Sequence, residues 1–289
     1  MSTNHAATKG HIEVRDLGVT FGQARDAVDA VQGVSIYSRP GEFVSIVGPS
    51  GCGKSTLLNA VAGFVKPSRG TLLLDGQPIR GPGADRGMVF QQYSLFPWLS
   101  VRKNVEFGLK RRGMDRSRRE TAARTLLGLA GLLGFENHYP DQLSGGMRQR
   151  VGIVRALATS PQVLLMDEPF GALDAQTRVV MQQILTNMWQ HFRLSVLFIT
   201  HDIDESIFLS DRIYVMTAQP GRIKAEITVP LPRPRTPEMA ASSEFLKLRQ
   251  EVHALIREES LQAMGGELKE GGLTGFSAEI GPEGFARLV

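Results

Sequence analysis

Between residues 12 and 47 apolar and polar positions alternate in short runs, IEVRDLGVTF, VQGVSIY and FVSIV, interrupted at Arg39-Pro40-Gly41. A period of two marks strands with one buried face, so this region predicts an antiparallel β-rich entry leading into a buried strand. The pattern then changes. GPSGCGKSTLLNAVAGF turns sharply at its glycines and becomes helical, and TLLLDGQPI predicts a hairpin around Asp75-Gly76. Residues 101–131 favour helix in two pieces flanking a basic cluster, KRRGMDRSRR, and another helix runs from Gly146 to about Thr159. VLLMDE and SVLFIT are apolar runs of strand length, separated by a helix over Ala175–His191 and followed by helical DIDESIFL. Strands alternating with helices predict an α/β fold with a mostly parallel sheet.

Beyond Val229 the pattern breaks. PLPRPRTP reads as an extended, proline-rich linker. Phe245, Leu246, Leu248, Val252, Leu255 and Ile256 then fall at helical spacing, predicting an amphipathic helix over Phe245–Leu261. From Gly265 the glycine-rich sequence has low helical propensity and reads as a flexible end, the alternative being a docked regulatory segment. The expected division is a main domain over 1–238, with a helical part at about 92–160, and a C-terminal extension over 239–289.

Composition narrows the function classes. A chain of 289 residues with 42% hydrophobic content fits one large domain with an appended piece. No apolar run approaches the ~20 residues that span a bilayer. MSTNHAATKGH lacks the apolar stretch of a secretory signal, and one cysteine allows no internal disulfide, which fits a reducing cytosol. The net charge of +4 permits an anionic partner or a membrane surface without demanding nucleic acid. No aromatics interleave the basic cluster, which reads as a solvated helix surface.

The candidate chemistry concerns phosphate. Gly48-Pro49-Ser50-Gly51-Cys52-Gly53-Lys54-Ser55, with Thr56 next in the ATP-binding set, fits G-x-x-x-x-G-K-[ST] between a predicted buried strand and a predicted helix. Its glycines let successive N–H groups converge on phosphates at a positive helix end. Lys54 can reach the β- and γ-phosphates, and the Ser55 hydroxyl can ligate Mg²⁺. Asp167 ends a buried strand, where a carboxylate can hold Mg²⁺, and Glu168 follows, placed to orient or deprotonate an attacking water. The thiol of Cys52, near a helix N-terminus and Lys54, sits in a setting that can lower its pKa. LSGGMRQR at Leu143–Arg150, read alone, is either a helix capped by Ser144 or a second anion site at Ser144, Gly145 and Gly146.

The order of phosphate loop, Gln91 in MVFQQ, LSGGMRQR, LLMDEP, GALD and His201 resembles the ATP-binding subunit of ABC transporters over residues 12–230. The resemblance implies a P-loop ATPase core with an antiparallel β subdomain and an α-helical subdomain, using ATP and Mg²⁺. It implies that two subunits dock head to tail, so that Ser144, Gly145 and Gly146 close on the γ-phosphate held by the partner. It gives Gln91 contacts to Mg²⁺ and the attacking water and a link to a membrane partner. Asp174 in GALD matches the loop that runs across the dimer seam, though it also reads as a helix cap. His201 matches the histidine that senses the γ-phosphate. Phe21 in VTFGQ matches the aromatic that stacks on adenine, while its place in the strand pattern also suits a core residue.

DNA-repair members of the family insert long coiled coils, and translation-factor members carry two ATPase domains. Here one set of motifs occurs, with 90 residues between Lys54 and Ser144 and no heptad run. This favours a separate subunit at the cytoplasmic side of a cell membrane, serving permease subunits and, through them, a periplasmic binding protein. Leu95, Phe96, Pro97 and Trp98, just after Gln91, suggest a groove for a partner helix. GPGADRG at Gly81–Gly87 and PLPRPR at Pro230–Arg235 resemble importers of nitrate, sulfonate or taurine. The alternative is a soluble ATPase acting as a mechanical switch on nucleic acid or ribosomes.

Overall fold

The alternation over residues 12–47 resolves into two sheets. The structure, a computed structural model, describes residues 9–22 and 26–270. β1 (Ile12–Phe21) pairs antiparallel with β2 (Val28–Ser38) and with β4 (Arg69–Leu74), which turns back into β5 (Gln77–Pro78). Asp75 and Gly76 make that turn with φ of 50° and 75°, the positive pair that a tight two-residue hairpin requires.

The second sheet has the order β10-β9-β3-β8-β7-β6. β3 (Phe43–Val47), β6 (Arg86–Val89), β7 (Val163–Asp167), β8 (Ser195–Ile199) and β9 (Arg212–Met216) run parallel. β10 (Ile223–Thr228) pairs antiparallel at the edge. The central strands are apolar on both faces because both faces are covered. Phe43, Val47, Leu164, Met166, Val196, Phe198, Ile213 and Val215 point into one core. Their neighbours Val44, Ile46, Val163, Leu165, Leu197, Ile199, Tyr214 and Met216 point into the other.

That second core also takes Ile12, Val14 and Leu17 from β1 and Leu57, Leu58 and Val61 from α1 (Lys54–Ala62). The helix at the phosphate loop is thus held between the two sheets. The first core is covered by α2 (Val101–Arg111), α3 (Arg116–Leu129), α4 (Gly145–Ala158), α5 (Ala175–Phe192) and α6 (Ile203–Leu209). Each starts where a short polar side chain takes a free backbone N–H: Ser100, Asp115, Ser144, Asp174 and Asp202 are the caps. In the basic cluster across the end of α2 and the start of α3, three arginines are paired locally, Arg116 with Glu120, Arg118 with Asp115 and Arg119 with Glu106.

The C-terminal part differs from expectation. PLPRPRTP is a packed strap. Arg235 is buried and its Nη1 donates to the carbonyls of Ile207, Phe208 and Ser210, the groups left without partners where α6 ends. Arg233 reaches Asp211 and the Leu209 carbonyl while lying 4.2 Å over the Trp189 ring. α7 (Ser243–Glu270) runs further than Phe245–Leu261, its helical backbone continuing through Gly265 and Gly266. Phe245, Leu248 and Val252 enter the first core, so tertiary burial docks the first half of the helix. The rest of the tail, 271–289, lies outside the described residues.

Candidate functional site

At the end of β3 the chain must reverse sharply into α1, and left-handed residues make this possible. Gly51 and Gly53 have φ of 76° and 92°, a region that costs an L side chain strain. A Cβ on Gly53 would also strike the Ala30 carbonyl. Lys54, almost fully buried, folds back so that Nζ donates to the carbonyls of Gly48 and Pro49, both at 2.9 Å. Ser50 lies exposed on the loop and Thr56 is partly covered in the first turn of α1.

Ser55 Oγ donates to Asp167 Oδ1 at 3.0 Å, joining the start of α1 to the end of β7. Burial pushes the Asp167 carboxyl above its ordinary range, against the Ser55 hydrogen bond and the Lys54 charge, with Glu168 adding to the rise. A cation here would offset that cost. One hydroxyl and one carboxylate beside a phosphate cradle fit Mg²⁺, which takes few protein oxygens and completes its octahedron with phosphates and water. Among the described residues no cluster of three or more His, Cys, Asp or Glu could hold a metal.

Glu168 leaves the strand at φ 42°, an uncommon conformation for a non-glycine residue and one that clusters at functional sites. Its N–H is fixed to the Ile199 carbonyl at 2.9 Å. Glu168 Oε2 lies 3.2 Å from His201 Nδ1, and Gln91 Nε2 donates to it at 3.4 Å. These three residues follow β7, β8 and β6, neighbouring parallel strands, so their side chains meet at the carboxyl edge of the sheet.

The LSGG segment stands apart. Ser144 Oγ accepts from Met147 N at 3.3 Å. Gly145 packs where a Cβ would meet the Tyr93 hydroxyl, and Gly146 where one would meet Thr177. Among the described residues no hydrogen bond joins Ser144, Gly145 or Gly146 to the phosphate loop of the same chain. Asp174 Oδ1 accepts from Thr177 N at 2.9 Å, so it is a cap. Phe21 is 48% exposed at the end of β1 and is not a core residue. The expectation for Cys52 is corrected. Burial pushes its thiol up, outweighing the pull of Lys54, whose Nζ is 3.8 Å from Sγ.

This chain matches known proteins along most of its length. The profile of the ABC transporter family covers residues 31–171. A nitrate import ATP-binding protein, NrtD of Synechocystis, is 49% identical over 253 residues, covering 86% of this chain and 95% of that protein. The chain belongs to the ABC transporter ATP-binding family. This ABC ATPase is also 50% identical over 200 residues to a taurine import ATP-binding protein, TauB of Yersinia pestis, covering 69% of the chain and 78% of that protein. Its fold is similar to that of an ATP-binding cassette whose structure was solved as a dimer, in a post-hydrolysis state bound to ADP and Pi. That structure has TM-score 0.68 and 34% identity, with 75% of this chain and 98% of that one covered. It therefore binds and hydrolyses ATP, and resembles the nitrate and taurine importer branch.

One group of residues beside this ABC ATPase's centre escaped sequence reasoning. Arg178 on α5 pairs with Asp202 at 2.9 Å and lies 3.5 Å from Glu205, and it also donates to the Leu173 carbonyl. It links the GALD turn to the residue after His201. Asp202 followed by Glu205 is the D-x-x-E spacing of a capping box, a local signal that could have located it. Glu205 is 4% exposed and accepts from Thr200 Oγ1 at 2.7 Å. Burial raises its pKa from 4.5 to about 7, with Asp202 adding to the rise and Thr200, Arg178 and His201 opposing it. Arg178 is shared with Asp202, so its attraction does not overcome burial.

The folded pKa lies above the unfolded one, so Glu205 contributes stability below about pH 4.5 that is lost as pH rises to about 7. The difference amounts to about 3 kcal/mol. Glu205→Gln keeps the shape and stays neutral, so its stability relative to wild type should climb between pH 5 and 8. Urea midpoints across that range would show it; parallel curves would mean that Glu205 does not titrate there.

Proposed function

We propose that this ATPase powers an importer in the cytoplasmic membrane, and that the solute is a small oxyanion of the nitrate, sulfonate or taurine kind. It acts on the cytoplasmic side as a head-to-tail dimer with a second copy or a homologous subunit. Permease subunits are its direct membrane partners, and a periplasmic binding protein delivers the solute to them. Among the described residues no helix is long and apolar enough to cross a membrane, so transport requires such a partner.

The observation that carries the membrane reading is the aromatic cluster after Gln91. Trp98 is 71% exposed, its ring 5.6 Å from Phe96, which in turn lies 4.5 Å from Phe107. Asn104 holds this turn by accepting from Phe96 N and donating to its carbonyl. A rigid, exposed aromatic patch suits a helix end of a partner and would normally be hidden. Its chain connection to Gln91 gives docking a short path to Glu168.

The residues then take these roles. The backbone N–H groups of residues 50–56 cradle the phosphates in a loop that opens at Gly48-Pro49, and Lys54 turns from its own loop carbonyls to the β- and γ-oxygens. Bound Mg²⁺, held by Ser55 and Asp167 with Gln91 nearby, would neutralise charge developing on the phosphates. Glu168 accepts the proton of the attacking water, while His201 and Gln91 hold that carboxylate and the γ-phosphate in register. Phe21 offers an open face to adenine. Ser144, Gly145 and Gly146 of the partner subunit cover the γ-phosphate, with Asp174 at the seam.

Tagged protein recovered from detergent-solubilised native membranes should carry a permease. Turnover reconstituted with that permease should rise when binding protein loaded with nitrate, a sulfonate or taurine is added. Recovery without membrane protein, together with turnover stimulated by RNA or DNA, would overturn the proposal in favour of a nucleic-acid switch.

A further inference from the structure

The back of the phosphate loop is not solvent. The turn between β9 and β10 presses against it. Gly48 is so close to Met216 that a Cβ there would touch the Met216 carbonyl and Cβ, and a Cβ on Gly221 would land on the Cys52 carbonyl. Gly221 N donates to the Ala30 carbonyl at 3.1 Å, and the Gly221 carbonyl accepts from Gln32 N at 2.9 Å. The Ala30 carbonyl is the same group that lies beneath Gly53. Thr217 closes the turn, its N donating to the Arg222 carbonyl at 2.9 Å and its Oγ1 to the Pro220 carbonyl at 3.1 Å.

α7 reaches this turn through one side chain. Glu259 Oε2 accepts from Ala218 N at 2.9 Å and Oε1 accepts from Lys224 Nζ at 2.6 Å. The carboxylate is 7% exposed, whereas Glu258, which also receives from Lys224 at 2.7 Å, is 59% exposed. Burial alone would push the Glu259 carboxyl up, yet Lys224 and the Ala218 N–H outweigh it and hold it below the ordinary range. Both halves of the hairpin, Ala218 before the tip and Lys224 after it, are therefore gripped by one buried charge.

We infer that Glu259 is a positioning residue for ATP binding: from the C-terminal helix it fixes the β9–β10 turn that forms the back wall of the phosphate loop. A cradle of converging N–H groups is sensitive to sub-ångström displacement, so loosening its wall weakens phosphate binding without touching the groups that cleave it. Truncating Glu259 also leaves the Ala218 N–H and the Lys224 ammonium without their buried partner.

Cys52 makes the test direct, because it is the chain's one cysteine and lies buried under this turn. In the full-length protein, Glu259→Ala removes two charge-assisted hydrogen bonds from the turn, and the part of that loss transmitted to the loop should raise KM for MgATP by about three- to tenfold, with kcat within about twofold. Alkylation of Cys52 at fixed pH should quicken by a similar factor. Glu259→Gln keeps an acceptor for Ala218 N and should recover much of both effects; Lys224→Met serves if the alanine variant does not fold. Arg249→Ala removes a different anchor of α7, its paired 2.6 Å contacts to Asp204, and should leave KM and Cys52 reactivity at wild-type values. Unchanged KM and labelling in the Glu259 variants would overturn the inference. So would equal changes in Arg249→Ala, which would reduce Glu259 to general docking of the helix. Wild-type turnover in the same assay separates either result from a failure of the ATPase itself.

Discussion

Glu168→Gln should bind ATP as wild type does and lose turnover by about a hundred- to ten-thousandfold, the range of general-base contributions. The amide matches the carboxylate in shape but cannot accept a proton from water. Its backbone is already committed: φ is 42° and the N–H is tied to Ile199, so the side chain emerges in the same direction in the variant. One amide oxygen can still accept from His201 or Gln91, which share a single carboxylate oxygen in the wild type. Nucleotide affinity by equilibrium binding and single-turnover hydrolysis would separate the two effects. Hydrolysis within a few-fold of wild type would remove Glu168 from the base role.

The second large effect concerns the two glycine-rich segments. Within one chain Ser144 caps its own helix and makes no hydrogen bond to the phosphate loop, so its remaining helix-start donors suit an anion from outside. Lys54→Ala and Ser144→Arg should each abolish ATP occlusion, since the first removes the charge facing the phosphates and the second fills the opposing surface. Mixed together, the variants form a heterodimer in which one site carries both defects and the other carries neither. With Glu168→Gln added to both chains and the permease present, occlusion should return at one site per mixed dimer. Turnover is a poorer readout, because coupled sites can both be needed for cycling. If verified heterodimers occlude no ATP, Ser144 is a helix cap and no more.

Much of this centre is legible in the sequence because its signals are local. The spacing of Gly48, Gly53, Lys54 and Ser55 between an apolar run and a helix encodes a backbone reversal, which the φ values at Gly51 and Gly53 show directly. The same holds for Asp75-Gly76 and for the helix caps at Ser144 and Asp174. What stayed hidden depends on residues far apart in the chain. Cys52 reads as activated from its neighbours, yet the turn at 216–221 buries it. PLPRPRTP has the composition of a spacer, and nothing in it announces that Arg235 will find the carbonyls ending α6. Glu205 and Glu259 look like surface acids on helices; only packing makes one protonatable near neutrality and the other an anchor. Phe21 was ambiguous for the opposite reason, since a strand's last residue has no neighbour beyond it to define its face.

The placement of β3 between β8 and β9 has a consequence for synthesis. The strand that launches the phosphate loop finds its partners only at residues 195–199 and 212–216, and the wall behind the loop only at Gly221. A ribosome adding about 5–20 residues per second needs roughly 10–30 s to travel from Lys54 to that glycine. For much of that interval the nucleotide motif is synthesised but lacks the partner strands and back wall that surround it in the folded chain. The ATP site of a nascent chain is therefore complete only when synthesis of the ATPase domain is nearly finished, which places nucleotide binding late in its folding.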